Sequence, residues 1–333
     1  MPLMLPGDFS AEACANNEAW HGLGETMNRT MIVGGLALVV YALNALGLDV
    51  VSRSQAADNK KTLPPGIVSK EDPKTFMEAI GKINATPAFF EALAKRPDPG
   101  PTINLNFLRY RPRGDGSRYG LYGAAAGAGI VGVGGDIIYH GEGITDQNKI
   151  FELSDEWDGV AYAMYPRRAA YLQLQRDIDY QMAIPDRVAG NYERMLYLLS
   201  DGDAIYDATG SIEKFHKTNT RVAVAGGNIV VSELIRFKKP KGRAEYEKFA
   251  ALFAPMLRKA GGEIVLSVRA EMPIVAEEYW DHFVSFRYPS LKVFKDLFQS
   301  GEFQAANAHR IAGLEASLSV LSKPQKMPPK PTN

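Results

Sequence analysis

Apolar positions recur in one order twice along this chain, and each recurrence predicts the same series of elements. Extended apolar runs at Ile103–Tyr110 and Ile229–Phe237 read as strands. Tyr119–Val133 and Arg243–Lys259 read as helices, the second with Tyr246, Phe249, Phe253 and Leu257 at helical spacing. Gly134-Gly135 and Gly261-Gly262 follow, where a helix end calls for glycine. Asp136–Tyr139 and Glu263–Val268 predict second strands, and Val160–Tyr165 and Phe283–Tyr288 third strands. Pro166 and Pro289 suit the first turn of a second helix, and Arg194–Leu199 and Ala316–Leu321 predict final strands.

Identities support the repetition. Trp157–Gly190 aligns with Trp280–Gly313 at a constant offset of 123, without a gap. Ten of these 34 positions are identical, where about two would match by chance. They include Trp157/Trp280, Asp158/Asp281, Tyr165/Tyr288, Arg187/Arg310 and Gly190/Gly313. Upstream, Phe107–Tyr110 aligns with Leu234–Phe237 at an offset of 127, the difference falling between Glu142 and Glu156. The order β-α-β-β-α-β is the split βαβ of ferredoxin-like folds. An α+β chain with two tandem modules, at residues 100–200 and 226–322, is therefore expected. Residues 201–225 read as a connector and 323–333 as a disordered tail rich in proline and lysine. In the stretch 52–99, a linker with short helices is expected, with Lys74–Lys95 broken near Pro87.

Ahead of the modules and behind a tail at 1–30, residues 31–51 read as a transmembrane helix. Met31–Leu48 is a run of 18 residues without a charge, and at ~1.5 Å per residue it just spans a hydrocarbon core of ~30 Å. Lysine and arginine lie mainly after it (Arg53, Lys60, Lys61, Lys70), which places the modules on the cytoplasmic face. The rival reading starts at Met27 and cleaves after Ser54-Gln55-Ala56, exporting the same modules.

Composition narrows the chemistry. Lysine plus arginine equals aspartate plus glutamate, at 38 each, so no nucleic acid partner is expected. The single cysteine, Cys14, lies ahead of the apolar run. His21, His140, His216, His282 and His309 show no zinc spacing, and neither a metal nor another cofactor is expected. Gly127-Ala-Gly129-Ile-Val-Gly132 is a literal GxGxxG, but it falls inside a helix, where dinucleotide binding would need a strand-to-helix turn.

The motifs nevertheless resemble a family. The strand ending in LRY or IRF, the double glycine, W-D before a strand, Y-P after it and HRIAGLE at His309–Glu315 look like the domain-of-unknown-function 1330 family. The likeness covers about Gly100–Leu199 and Gly226–Leu321, with Asp186 standing where the second copy has His309. It implies the dimeric α+β barrel superfamily, with two modules closing as an internal pseudo-dimer. That superfamily includes cofactor-free monooxygenases, haem-binding enzymes, isomerases and assembly modules.

Two functions follow as expectations. The first is a membrane-anchored accessory or assembly subunit, bound to lipid through Met31–Leu48 and to a protein partner in a membrane complex, such as an energy-transducing one. Gly120, Gly123, Gly127 and Gly129 would then let their helix press against another subunit or chain segment. The alternative is an enzyme, cofactor-free or haem-dependent, or a small-molecule binder, using a pocket in the second module with His309, His282 and Arg310. Arg109/Arg236 and Arg187/Arg310, kept in both copies, read first as folding determinants.

Overall fold

A computed structural model describes residues 84–145, 153–276 and 278–327. No helix among them is long and apolar enough to cross a membrane. Met31–Leu48 and the rest of residues 1–83 lie outside the described residues.

The elements run α1 (Pro87–Ala94), β1 (Thr102–Tyr110), α2 (Ser117–Gly132), β2 (Asp136–Gly143), β3 (Gly159–Tyr165), α3 (Arg168–Leu174), α4 (Ile178–Gly190) and β4 (Asn191–Ser200). They continue with α5 (Ile212–Thr218), β5 (Ile229–Phe237), α6 (Gly242–Lys259), β6 (Glu263–Val275), β7 (His282–Tyr288), α7 (Leu291–Gln299), α8 (Gly301–Gly313) and β8 (Leu314–Pro324). The class is α+β. All strands are antiparallel neighbours in one closed barrel, ordered β1-β3-β2-β8-β5-β7-β6-β4. Each half therefore has its last strand beside its first, then its third, then its second. Closure comes from β2 on β8 (Glu142 opposite Lys323) and from β4 on β6 (Leu199 opposite Ala270). A barrel has no free edge, so the unpaired backbone groups of four edge strands are satisfied within this chain.

Alternation gives each strand two jobs. Ile103, Leu105 and Phe107 of β1 and Val230 and Leu234 of β5 point into the barrel, where Tyr162, Tyr197 and Phe283 join them. The interior is filled, and its few hydroxyls pair: the Tyr162 hydroxyl lies 2.5 Å from Ser232 Oγ and 3.0 Å from Ser285 Oγ. The opposite strand faces carry the helices. The repeated Asp158 and Asp281 are structural, each accepting a backbone N–H at 2.8 Å, from Tyr110 and Phe237, where β1 and β5 shift register. The connector is more ordered than its composition suggests. Asp201 accepts the Ile212 and Glu213 backbone N–H groups at the start of α5, and Ile212, Phe215 and Val222 pack on the barrel's inner cluster.

Two expectations shift. The second helix of each half is two helices, because a capping side chain sits mid-run: Asp177 accepts from the Tyr180 N–H at 2.8 Å and Ser300 from the Phe303 N–H at 3.1 Å. Pro166 and Pro289 consequently lie before the N-caps Arg167 and Ser290 and open no helix. Pro87 begins α1, with Thr86 as its cap, and the helix expected ahead of it falls outside the described residues. The double glycines behave as expected, Gly134 and Gly261 taking φ of +79° and +78° at the ends of α2 and α6.

Candidate functional site

Between α2 and the outer face of the first half's sheet lies a cavity of about 1000 Å³. The equivalent space under α6 holds only about 30 Å³. Strand register explains the difference. Ala163 sits opposite Ile137 and Asn104, and Phe286 sits opposite Ile264 and Val231 at the matching place. On the helices, Ala126 stands where the repeat puts Phe253. The Phe253 and Phe286 rings meet edge to face at 5.2 Å and fill the second half. Alanine at both places leaves the first half hollow. The glycines of α2 add to this: a Cβ on Gly120 or Gly123 would meet nothing within 4 Å, and one on Gly127 only Ile137. Gly129 alone presses on a chain segment, since its Cβ would fall 2.6 Å from Leu174 Cδ1.

The walls carry converging polar groups. Asn104 and Asn106 face the cavity from β1, Arg194 from β4 and His140 from β2. Burial holds the His140 ring below its usual pKa and so neutral. Asp136, at the rim, is held by Arg221 through two bonds of 2.8 and 2.9 Å. The phenols of Tyr119, Tyr122, Tyr165, Tyr171 and Tyr180 surround the deep end. Tyr122 and Tyr180 share a hydrogen bond of 3.0 Å, and Arg187 Nη1 donates to both, at 3.1 and 2.8 Å. The Arg187 carbon also stands 5.0 Å over the Tyr122 ring. Burial raises the pKa of Tyr119, Tyr122, Tyr165 and Tyr171. For Tyr180 burial acts the same way, but the charges of Arg187 and Arg194 and the Tyr122 hydrogen bond outweigh it, and its pKa falls. A phenol made more acidic in this way beside a cavity is a stronger proton and hydrogen-bond donor.

The histidines singled out from sequence lie elsewhere. His282 is buried, its Nε2 2.9 Å from Ser267 Oγ, and its pKa is depressed to about 3 by burial, with the Arg243 charge adding. His309 is a surface residue 3.1 Å from Glu245. Neither lines the first-half cavity or the small space of about 30 Å³ under α6 in the second half. Arg310 is spent on Glu233 at 2.6 Å. Arg109 and Arg236 make half-exposed ion pairs with Glu193 and with Glu278 and Glu315. No group of three or more metal-ligating side chains occurs among the described residues.

Comparison with known proteins places this geometry in context. Residues 234–324 match the family described as Domain of unknown function (DUF1330). No curated protein matches the chain. Among solved structures, a protein of unknown function from Rhodopseudomonas palustris is 26% identical over 37% of this chain and 98% of its own, with a TM-score of 0.32. An anthrone oxidase-like protein is 9% identical over 69% of this chain and 95% of its own, with a TM-score of 0.46. A novel heme-binding protein from Thermus thermophilus is 10% identical over 68% and 92%, with a TM-score of 0.38. The family match is confined to the second half of the chain.

Proposed function

We propose that this chain binds a small organic molecule in the first-half cavity and acts on it there as an enzyme or receptor, while the second half serves as its structural partner. The two halves are read as tandem ferredoxin-like modules that close one pseudo-dimeric barrel. The observation that carries the reading is the contrast of about 1000 Å³ against about 30 Å³ at equivalent places in one fold. A cavity of that size, mostly apolar with a few converging polar groups, is the usual form of a ligand site. The Tyr122–Tyr180–Arg187 cluster supplies a group able to exchange a proton with whatever sits there. His140 is the histidine in the lining, and its neutral ring is the residue that could ligate a haem iron. Met31–Leu48, as a membrane helix, would hold this body at a bilayer, beside lipid and other membrane proteins.

The test uses the full chain purified in mild detergent. Native mass spectrometry, with and without added haemin, should show a small molecule bound to the wild type and lost from Ala163→Phe. Equal occupancy of the wild type and Ala163→Phe would end this reading, and a haem adduct sensitive to His140→Ala would select the haem-dependent form. Carbonate washing should leave the chain in the membrane fraction.

A further inference from the structure

The cavity differs from its filled counterpart in charge as well as in volume. In the second half, Arg310 Nη2 donates to Glu233 at 2.6 Å and to Ser317 Oγ at 3.0 Å, so the buried cation is neutralised. In the first half the matching arginine is Arg187, but Asn106 stands in place of Glu233 and Arg194 in place of Ser317. One carboxylate is lost and one guanidinium gained. Arg187 reaches two phenols and the Asn84 amide, and no carboxylate among the described residues. Arg194 is 6% exposed, lines the cavity, and its side chain meets no acceptor among the described residues; its Nε is buried and unsatisfied. A buried cation without a counter-ion is costly, and the second half shows how this fold supplies one when no ligand is meant to.

We infer that the ligand of this cavity is an organic anion, a carboxylate on a flat apolar body, whose acid group is received by Arg194 and whose body takes the place of the two missing phenylalanine rings. This rests on the reading that the cavity is a ligand site. The guanidinium is planar and offers paired donors, which match a carboxylate bidentately. The apolar body would lie under α2 against Ala126, Ile130, Ile137 and Ala163, on the floor that Phe253 and Phe286 occupy in the other half. The neighbouring phenols add aromatic faces and hydroxyl donors to the acid end.

The probes are 2-naphthoate and its neutral isostere 2-naphthamide, titrated calorimetrically into the full chain in detergent. The naphthoate should bind at least tenfold more tightly than the amide. Arg194→Met should bring the naphthoate down to the level of the amide and leave the amide unchanged. Asn106→Glu, which restores the carboxylate of the second half, should do the same. Ala163→Phe should abolish both, with circular dichroism verifying the fold of each variant. Equal binding of acid and amide, or naphthoate affinity indifferent to Arg194→Met, would overturn the anion inference and leave the cavity reading standing. Binding of neither, or binding unchanged in Ala163→Phe, would overturn both.

Discussion

Helices α2 and α6 lie over equivalent sheets and end in the same left-handed glycine, yet one covers a hollow and the other a packed core. Under α6, Phe249, Phe253, Phe286 and Phe303 form a continuous ring cluster, with Phe249 and Phe253 stacked at 5.2 Å and Phe253 and Phe303 edge to face at 5.9 Å. Under α2 the matching positions are Tyr122, Ala126, Ala163 and Tyr180. Two rings have become methyl groups, and the other two have gained hydroxyls that bind Arg187. Burial drives folding in proportion to apolar area removed from water. The second half therefore contributes stability that the first forgoes, and one closed barrel lets the two share it. The contrast extends to the polar residues: Glu233–Arg310 closes on itself, whereas Arg187 is held by two phenols and Arg194 lines the cavity.

The largest test of this contrast is to hollow out the packed half. Phe286→Ala should destabilise by about 3–5 kcal/mol, the range for a phenylalanine truncated in a core that collapses poorly. Urea denaturation measures it. The double variant Phe253→Ala/Phe286→Ala, if folded, should admit an apolar probe without preferring an acid, because Glu233 already neutralises Arg310. A cost below about 1 kcal/mol would mean that the second half is not the packed core described here.

His282 provides a test by pH. Its ring is neutral in the fold, with a pKa near 3 against an ordinary 6.5. Between those values the unfolded chain holds one more proton than the folded one, so stability falls as pH falls through the window. The slope is at most about 1.4 kcal/mol per pH unit for one proton. His282→Leu should flatten the acid limb of a stability–pH curve, because Ser267 still accepts the Ile205 and Tyr206 backbone N–H groups. An unchanged limb would show that other groups carry the acid sensitivity.

The strands, helices and their order were legible because alternation and helical spacing are local signals, and the double glycines mark the ends of α2 and α6 directly. Closure was less so. β6 runs on to Val275 and β8 to Pro324, past the apolar runs that announce them, because each extension is held by pairing with a distant strand. The first-half cavity was not legible in the same way, for a specific reason. Histidines present in one copy only point to the second half, and His282 and His309 proved to be a packed residue and a surface residue. The signal was in the same alignment, at positions where the copies differ in size and charge: Ala126 against Phe253, Ala163 against Phe286, Asn106 against Glu233 and Arg194 against Ser317. Identities between copies locate what the fold needs, and such differences locate what one copy does alone.

Arg194→Met sharpens the contrast by charge. Without ligand, removing an uncompensated buried cation should raise stability by about 1–2 kcal/mol, since a buried polar group left unpaired costs that order. Arg310→Met in the other half should act oppositely and destabilise, because it strands Glu233. Thermal unfolding of the two variants side by side decides it, and a loss of stability in both would show that Arg194 is paired in solution.

The smallest effects belong to the glycines of α2, and they probe directly whether the space beneath is open. A glycine inside a helix costs about 0.5–1 kcal/mol relative to alanine, through the wider backbone freedom of the unfolded chain. At Gly120 and Gly123 an added Cβ meets nothing within 4 Å, so Gly120→Ala and Gly123→Ala should each stabilise by about that amount. Gly129 is the internal control on the same helix. Its Cβ would stand 2.6 Å from Leu174 Cδ1, a side chain 1% exposed that must rotate in a packed place. Gly129→Ala should therefore gain nothing or lose about 1 kcal/mol, the usual result of overpacking. Differential scanning calorimetry on the three variants gives the comparison. If Gly123→Ala destabilises as Gly129→Ala does, something already fills the place beneath that turn, and the claim of an open cavity under α2 fails with it.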